Sequence, residues 1–212
     1  MSKIPFEGTI LSIQPRIRLN RSFDEVAHEY LGYAIFLKGC TDNEQERDYS
    51  IGIGKAAQAK HQFKVGDVIA GECVPVDARK RKLEPVEYYK VSKLKVVSRS
   101  ERQEKEPPPW ENIPPDLETY RDRGRRRLAK QTYNTKCFSC IWGCMMPVEI
   151  TIDHWNPGKK KYRFETFCYG PLSCKFYKAG PKRKVPGRKK GMVYVEEDWV
   201  DEEMTRHREW DE

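Results

Sequence analysis

The sequence predicts a mainly β protein made of two compact units, and three observations lead to this. Short runs rich in Val, Ile and aromatic residues, separated by turn residues, recur through residues 1–100. Two further alternating runs, at 148–155 and 161–167, are flanked on both sides by cysteines. Only 38% of the residues are hydrophobic and 34% are charged, so two modest cores suit this chain better than one large core.

Residues 1–100 contain five predicted strands and one predicted helix. The strands are expected at 8–13 with a continuation at 16–19, then at 30–37, 48–53, 63–74 and 88–97. Lys55–His61 has helical composition and no helix breaker. Three strands, a short helix and two strands is the element order of the five-stranded OB barrel. The run Phe63-Lys64-Val65-Gly66-Asp67-Val68 resembles the turn that enters the fourth strand of OB domains.

The OB resemblance covers residues 3–99 and implies a binding face on the second and third strands. OB domains often bind single-stranded nucleic acid or oligosaccharide there. On that face Tyr33, Phe36 and Tyr49 are candidates for stacking on bases. The alternative is that these aromatic side chains fill the barrel core.

An acidic, proline-rich linker is predicted at 101–120. Its prolines exclude a regular helix or a central strand, and Trp110 could anchor a protein partner. Leu117–Lys130 is predicted as a basic helix, although Gly124 interrupts it. The linker separates an OB-like barrel at 1–100 from a basic, cysteine-rich unit at 121–190. An acidic tail at 191–212 follows.

Five of the seven cysteines cluster in the second unit. They are Cys137, Cys140, Cys144, Cys168 and Cys174. The first two are separated by two residues, which allows one tight turn to direct two thiolates at a single ion. The runs 148–155 and 161–167 flank the turn signal Asn156-Pro157-Gly158 and are expected to pair as a hairpin. Clustered thiols in a chain without a secretory signal are typical of a metal site rather than of disulfides.

Two cysteine loops joined by a hairpin resemble the zinc-ribbon class over residues 137–174. The resemblance implies one Zn²⁺ held by Cys137, Cys140, Cys168 and Cys174. Five residues separate the last two cysteines where ribbons usually have two, so Cys144 is an alternative ligand. An iron–sulfur cluster is the alternative cofactor because it also needs four thiolates. A shell closed by four thiolates leaves no open position, so the metal is expected to be structural.

Positive charge is concentrated in the second unit. Residues 121–190 contain 19 Lys and Arg against 4 Asp and Glu, whereas the flanking segments are both acidic. A polyanionic partner, most simply single-stranded nucleic acid, explains this distribution. The candidate phosphate-binding residues are Arg125, Arg126, Arg127, Lys159, Lys160, Lys161, Lys182, Arg183, Lys184, Arg188, Lys189 and Lys190. The last six are expected to lie on an irregular, flexible arm.

A nuclease is the alternative function. The run Ile152-Asp153-His154-Trp155-Asn156-Pro157-Gly158 resembles part of an HNH endonuclease site. The resemblance implies Asp153 as a metal ligand and His154 as the general base. The later Asn and His of that family are missing, since Lys175-Phe176-Tyr177 follows Cys174. In the preferred interpretation no residue is catalytic.

The sequence therefore predicts a non-enzymatic protein that binds nucleic acid with low sequence specificity. A protein-interaction scaffold, acting through the proline-rich linker or the acidic tail, is a second alternative. There is no glycine-rich phosphate loop, nucleophile elbow or His-Glu-x-x-His motif. No apolar run is long enough to cross a bilayer and the start lacks a signal-peptide core, so a cytoplasmic location is expected.

Overall fold

The computed structural model describes residues 2–23, 25–42, 45–101, 108–153 and 155–208, and this part of the chain is mainly β. Its strands are β1 (Ile4–Arg21), β2 (Val26–Thr41), β3 (Arg47–Ile53), β4 (Val68–Pro75), β5 (Tyr88–Ser98), β6 (Arg126–Arg127), β7 (Gly143–Thr151), β8 (Lys160–Cys168), β9 (Arg183–Pro186) and β10 (Val193–Glu196). Its α-helices are α1 (Lys55–His61), α2 (Leu117–Arg123), α3 (Lys130–Thr132) and α4 (Asp198–Thr205). Single turns lie at Arg81–Leu83, Tyr133–Cys137 and Arg206–Arg208. None of these helices is long and apolar enough to span a bilayer.

Strand β1 organises the fold. It is 18 residues long and its alternating apolar side chains, among them Ile13, Ile17 and Leu19, are fully buried. Along its length it pairs with β2, and its first residues also pair with β4. Its last residues pair in parallel with β7, with Leu19 opposite Val148. One strand therefore connects the N-terminal strands to the cysteine-bearing hairpin.

Eight strands form one sheet in the order β2-β3-β5-β4-β1-β7-β8-β6, with an additional pairing between β1 and β2. With this additional pairing, β1 pairs with β2, β2 with β3, β3 with β5, β5 with β4, and β4 with β1. The predicted strands of residues 1–100 correspond to β1 to β5, with residues 63–67 forming the turn before β4, and the helix at Lys55–His61 is observed. Strands β9 and β10 form a separate two-stranded sheet.

The expectation of two separate cores is wrong. The largest hydrophobic cluster combines side chains of β1 to β4 with hairpin residues such as Met146, Val148 and Phe167. Val148 and Ile150 are buried on one face of β7, as the alternation predicts. A small second cluster surrounds the cysteines. The hairpin therefore packs on the N-terminal strands because parallel pairing with β1 brings its apolar face onto their core.

The described part of the proline-rich segment is hydrogen-bonded to the rest of the fold. Residues 102–107 lie outside the described part, but the Trp110 carbonyl accepts from the Ile141 amide at 2.8 Å, and the Pro115 carbonyl accepts from Tyr33 at 2.6 Å. The predicted helix at 117–130 stops at Arg123 because Gly124 adopts φ 66°. A side chain at Gly124 would also lie 2.1 Å from the Met204 carbonyl.

The predicted basic arm contains a β-hairpin, and the described part of the acidic tail, residues 191–208, is docked. Strands β9 and β10 pair as this hairpin, and Val185 joins the main core at 1% exposure. Helix α4 then packs close to β6 through ion pairs made by Arg127, which is 1% exposed, with Asp198 and Asp201. Residues 191–208 are thus part of the folded unit.

Candidate metal centre and basic surface

Four cysteines meet at one end of the β7–β8 hairpin. Cys137 ends the turn before β7, Cys140 lies in the next turn, Cys168 ends β8 and Cys174 follows in the second loop. The hairpin register places Gly143 opposite Cys168, which brings both loops to the same end. All four thiols line one cavity with a free volume of about 10 Å³, close to that of a single water-sized sphere. These are the four residues that the zinc-ribbon resemblance implies as ligands.

Backbone amides lie close to the sulfur atoms of both loops. The Gly170 amide donates to Cys168 Sγ at 3.4 Å. The backbone amides of Trp142 and Trp110 lower the pKa of Cys140, against the rise that burial causes. Such amides stabilise a thiolate, which is the form that binds a metal.

Burial makes the thiolate forms costly without a cation. It raises the pKa of Cys137 and of Cys140 to about 12 in each case, and the neighbouring thiols add to this. The pKa of Cys168 is also raised by burial, and the Arg126 guanidinium opposes that rise. A bound divalent cation reverses this balance because it favours the deprotonated ligands. The donor set therefore fits a thiophilic metal.

No group of three or more His, Cys, Asp or Glu side chains in the described ranges is arranged as a coordination shell. The cavity is a candidate metal centre because four thiols line it and backbone amides lie near two of them. The distances between its sulfur atoms are not those of ligands around one metal ion.

Cys144, the alternative ligand, lies elsewhere. It is fully buried in the main core, where its Sγ donates to the Pro15 carbonyl at 3.3 Å. It does not line the cavity with the other four. The residue before it explains the separation: Gly143 begins β7, and alternation along a strand sends Cys144 to the core face.

A glutamine of β1 holds the first cysteine loop, and sequence reasoning missed it. Gln14 is 2% exposed. Its Nε2 donates to the carbonyls of Cys137, Phe138 and Cys140 at 2.9, 3.0 and 2.9 Å, and its Oε1 accepts from Tyr133 at 2.7 Å. The one signal available in the sequence was that Gln14 is a polar residue within a strand of otherwise alternating pattern.

The first cysteine loop and Gln14 lie so close to the start of β7 that only glycine fits at position 143. A Cβ on Gly143 would lie 2.6 Å from the Cys137 carbonyl and 2.6 Å from Gln14 Nε2. The hydroxyl of Ser12, also on β1, donates to the Phe138 carbonyl. The first cysteine loop is therefore seated directly on the strand that organises the fold.

Arg126 holds the second loop. Its guanidinium donates to the Pro171 carbonyl at 2.8 Å and lies 3.9 Å from the centre of the Tyr177 ring. A four-thiolate site around one Zn²⁺ would carry a net charge of −2, and this buried guanidinium would offset part of it. Arg126 is thus committed to the loop and is 8% exposed.

Three of the arginines predicted to contact phosphate, Arg125, Arg126 and Arg127, are buried and form no exposed basic surface, which corrects that part of the prediction. Arg125 is 4% exposed and donates to Glu196 at 3.2 Å. Arg127 is 1% exposed and is held by α4. Together with the buried Arg126, this run stabilises the fold, because each guanidinium is neutralised or hydrogen-bonded inside the chain.

The predicted stacking residues are also mostly internal. Tyr33 and Tyr49 are each 2% exposed, and their hydroxyls donate to backbone carbonyls. Phe36 is partly buried and meets the Phe138 ring edge-on at 5.0 Å. The core interpretation of these aromatic residues is therefore correct for the two tyrosines, and Phe36 packs against the first cysteine loop.

Most of the predicted lysines are exposed. Lys159, Lys160 and Lys161 lie at the tip of the β7–β8 hairpin, where Lys160 pairs with Glu149. Lys182 pairs with Glu197, and Lys184 is exposed on β9.

In the β9–β10 hairpin, Arg183 differs from its neighbours. It is half-buried and binds Glu165 at 3.2 Å. Arg188, Lys189 and Lys190 form the exposed turn of that hairpin, with Arg188 5.0 Å from the centre of the Phe23 ring.

A second basic run adjoins the hairpin and was not predicted as a site. Arg79, Lys80, Arg81 and Lys82 between β4 and β5 are all exposed. The Lys82 ammonium lies 4.1 Å from the centre of the Tyr162 ring on β8. Trp155 at the hairpin tip is 83% exposed. We call these four residues, Trp155 and Lys159–Lys161 the basic ridge.

Of the two nuclease residues, Asp153 lies away from the cysteine centre, and His154 lies outside the described residues. Asp153 caps the hairpin turn, since its Oδ1 accepts from the Trp155 amide at 3.1 Å. The β7–β8 register runs from Gly143–Cys168 at the thiol end to Thr151–Lys160, a span of roughly 27 Å at about 3.4 Å per residue. Asp153 therefore has a role in the turn and does not share a site with the thiols.

Comparison with known proteins identifies no relative. The chain matches no family model, no curated protein and no solved structure.

Proposed function

We propose that this protein binds single-stranded nucleic acid through a surface positioned by an OB-like barrel and a zinc-ribbon-like hairpin. The sequence of pairings from β1 through β2, β3, β5 and β4 back to β1 supports the barrel, because this is the strand order of the OB fold. The two cysteine loops at one end of the β7–β8 hairpin support the ribbon.

Zinc is the proposed metal. The cavity between Cys137, Cys140, Cys168 and Cys174 has room for a single ion, and an iron–sulfur cluster of several atoms is larger than that. Four thiolates give Zn²⁺ a closed tetrahedral shell, so the metal supplies folding free energy and no chemistry. Purified protein is expected to be colourless and to contain about one zinc per chain.

The basic ridge is the proposed nucleic-acid surface. The main support for this is that the fold brings two basic segments, distant in sequence, next to each other. Residues 79–82 and 159–161 are far apart in sequence, yet Lys82 stacks on Tyr162. Among the described residues only Lys160 of these seven cations has an ion pair. Cations without carboxylate neighbours are suited to phosphates, and an exposed indole such as Trp155 gives a base a stacking surface.

Fluorescence anisotropy with a labelled single-stranded oligonucleotide tests this surface. The variant Arg79→Gln/Lys80→Gln removes two ridge cations, and Lys55→Gln/Lys60→Gln removes two exposed cations of α1 as a matched control. Loss of two phosphate contacts should reduce the slope of log K against log salt by about 1.4 and weaken binding about 25-fold at about 0.1 M salt. Equal effects of the two variants, or no binding at low salt, would contradict the proposal.

A further inference from the structure

A second cavity lies between β2, the segment after α2 and the end of β8. It has a volume of about 250 Å³ and is lined by His28, Tyr30, Arg121, Gly124, Arg125, Tyr169 and Met204. Five of these seven side chains carry hydrogen-bond donors and none is a carboxylate. The cavity therefore offers donors without competing negative charge on its walls.

Two polar atoms of this cavity are buried without a hydrogen-bond partner in the described part of the chain. They are the Tyr169 hydroxyl and His28 Nε2. Tyr169 is 1% exposed, and its hydroxyl makes no hydrogen bond of ordinary geometry although Tyr30 lies beside it. Leaving such groups unpaired is unfavourable, so a ligand that pairs with them binds more tightly.

Positive charge surrounds the same two atoms. At the mouth, the exposed Arg121 lies 4.9 Å from the centre of the Tyr30 ring and has no ion pair among the described residues. At the floor, Arg125 is buried and its single described ion pair is with Glu196, which does not line the cavity. Burial, with the charges of Arg125 and Arg21, lowers the pKa of His28 to about 3, so the ring is neutral and can donate one N–H.

We propose that this pocket, named here the arginine pocket, binds a phosphate group. The Arg121 guanidinium, a neutral imidazole and a phenol are donors that a phosphate with several acceptor oxygens can satisfy together, and the buried Arg125 adds positive charge at the floor. Tyr30 beneath Arg121 supplies an aromatic wall next to that phosphate. The source of the phosphate is a nucleic-acid strand, either at its end or along its backbone, and this assignment rests on the proposed function.

Calorimetry with inorganic phosphate in a chloride buffer tests the pocket independently of any nucleic acid. Phosphate is expected to bind and to shift the NMR resonances of the His28 ring. Arg121→Gln should weaken binding about tenfold because it removes one charge-assisted contact. Lys60→Gln, which removes an exposed cation of α1, should leave binding unchanged. No binding up to about 20 mM phosphate, or equal affinities of the two variants, would overturn the proposal.

Oligonucleotides with a 5′-phosphate or a 5′-hydroxyl then identify the source. Tighter binding of the phosphorylated strand, lost in Arg121→Gln, assigns the pocket to a terminal phosphate. Equal binding of both strands, reduced by Arg121→Gln, assigns it to a backbone phosphate. If phosphate binds and shifts His28 while neither strand binds, the pocket stands and the proposed function fails.

Discussion

Replacing Gln14 by leucine tests how the cysteine loop is held on β1. The substitution keeps a side chain of similar size and removes the amide. The two N–H groups of that amide contact three carbonyls of the loop, so at least one of them is shared, and the amide oxygen accepts from Tyr133. All of these contacts cross from β1 to a segment more than 100 residues later in the chain, so they connect the two halves of the fold.

The expected loss of unfolding free energy follows from the two N–H donors and the one acceptor that the substitution removes. Each carbonyl retains another donor, so each lost N–H donor costs only its net value of about 1 kcal/mol. The buried Tyr133 hydroxyl loses its acceptor, which costs about 1–3 kcal/mol. The sum is about 2 to 4 kcal/mol after allowance for the apolar area that leucine buries. This is a large part of the typical stability of a domain.

Urea unfolding followed by tryptophan fluorescence measures the loss. Gln58→Leu is the matched control, because Gln58 is also buried at 3% exposure but donates a single hydrogen bond, to the Phe63 carbonyl at 3.1 Å. Its expected cost is about 1 kcal/mol. Gln14→Leu should also lower zinc affinity about 10- to 100-fold, as loss of groups that orient metal ligands does. Equal destabilisation by the two variants would refute the reasoning.

Three further results are expected. Cys174→Ser should lose bound zinc by atomic absorption, whereas Cys144→Ala should retain about one zinc per chain; equal loss would contradict the ligand set. Folded His28 has its pKa lowered to about 3 by burial beside two arginines, so it binds fewer protons than the unfolded chain. The neutral His28 ring makes its full contribution to the free energy of unfolding above about pH 6.5, and this contribution is lost as the pH falls. Between about pH 7 and pH 5 the free energy of unfolding should therefore fall by about 2 kcal/mol more in wild type than in His28→Leu. Asp201→Asn removes a carboxylate that binds buried Arg127 at 2.8 Å and should cost about 2–3 kcal/mol, unlike substitution of an exposed acid of α4.

The positions of the strands and of the four cavity-lining cysteines were predictable because they depend on local pattern. Alternation marks a strand wherever one face is buried. The spacing of Cys137 and Cys140 before a hairpin, and of Cys168 at its end, places thiols at one end of two paired strands. Both signals are contained within segments of a few dozen residues.

The roles of the arginine run and of Gln14 were not predictable because their contacts are distant in sequence. Arg125 and Arg127 look like a phosphate-binding run until Glu196 and Asp201, some seventy residues later, neutralise them. Net charge along the chain does not report such pairing. Similarly, alternation indicates which side chains of β2 and β3 share a face, but the inward direction of Tyr33 and Tyr49 depends on how the strands close around the core.

The parallel pairing of β1 with β7 has a consequence for synthesis and for dissection of this chain. During translation, β1 emerges well before residues 143–151 exist to cover Leu19–Arg21. Until then, or in a fragment ending near residue 100, those backbone N–H and C=O groups form an open sheet edge beside exposed apolar surface. Such an edge is a template for association with other chains. The N-terminal hundred residues on their own are therefore expected to aggregate. Their solubility depends on the β7–β8 hairpin being synthesised and pairing with β1.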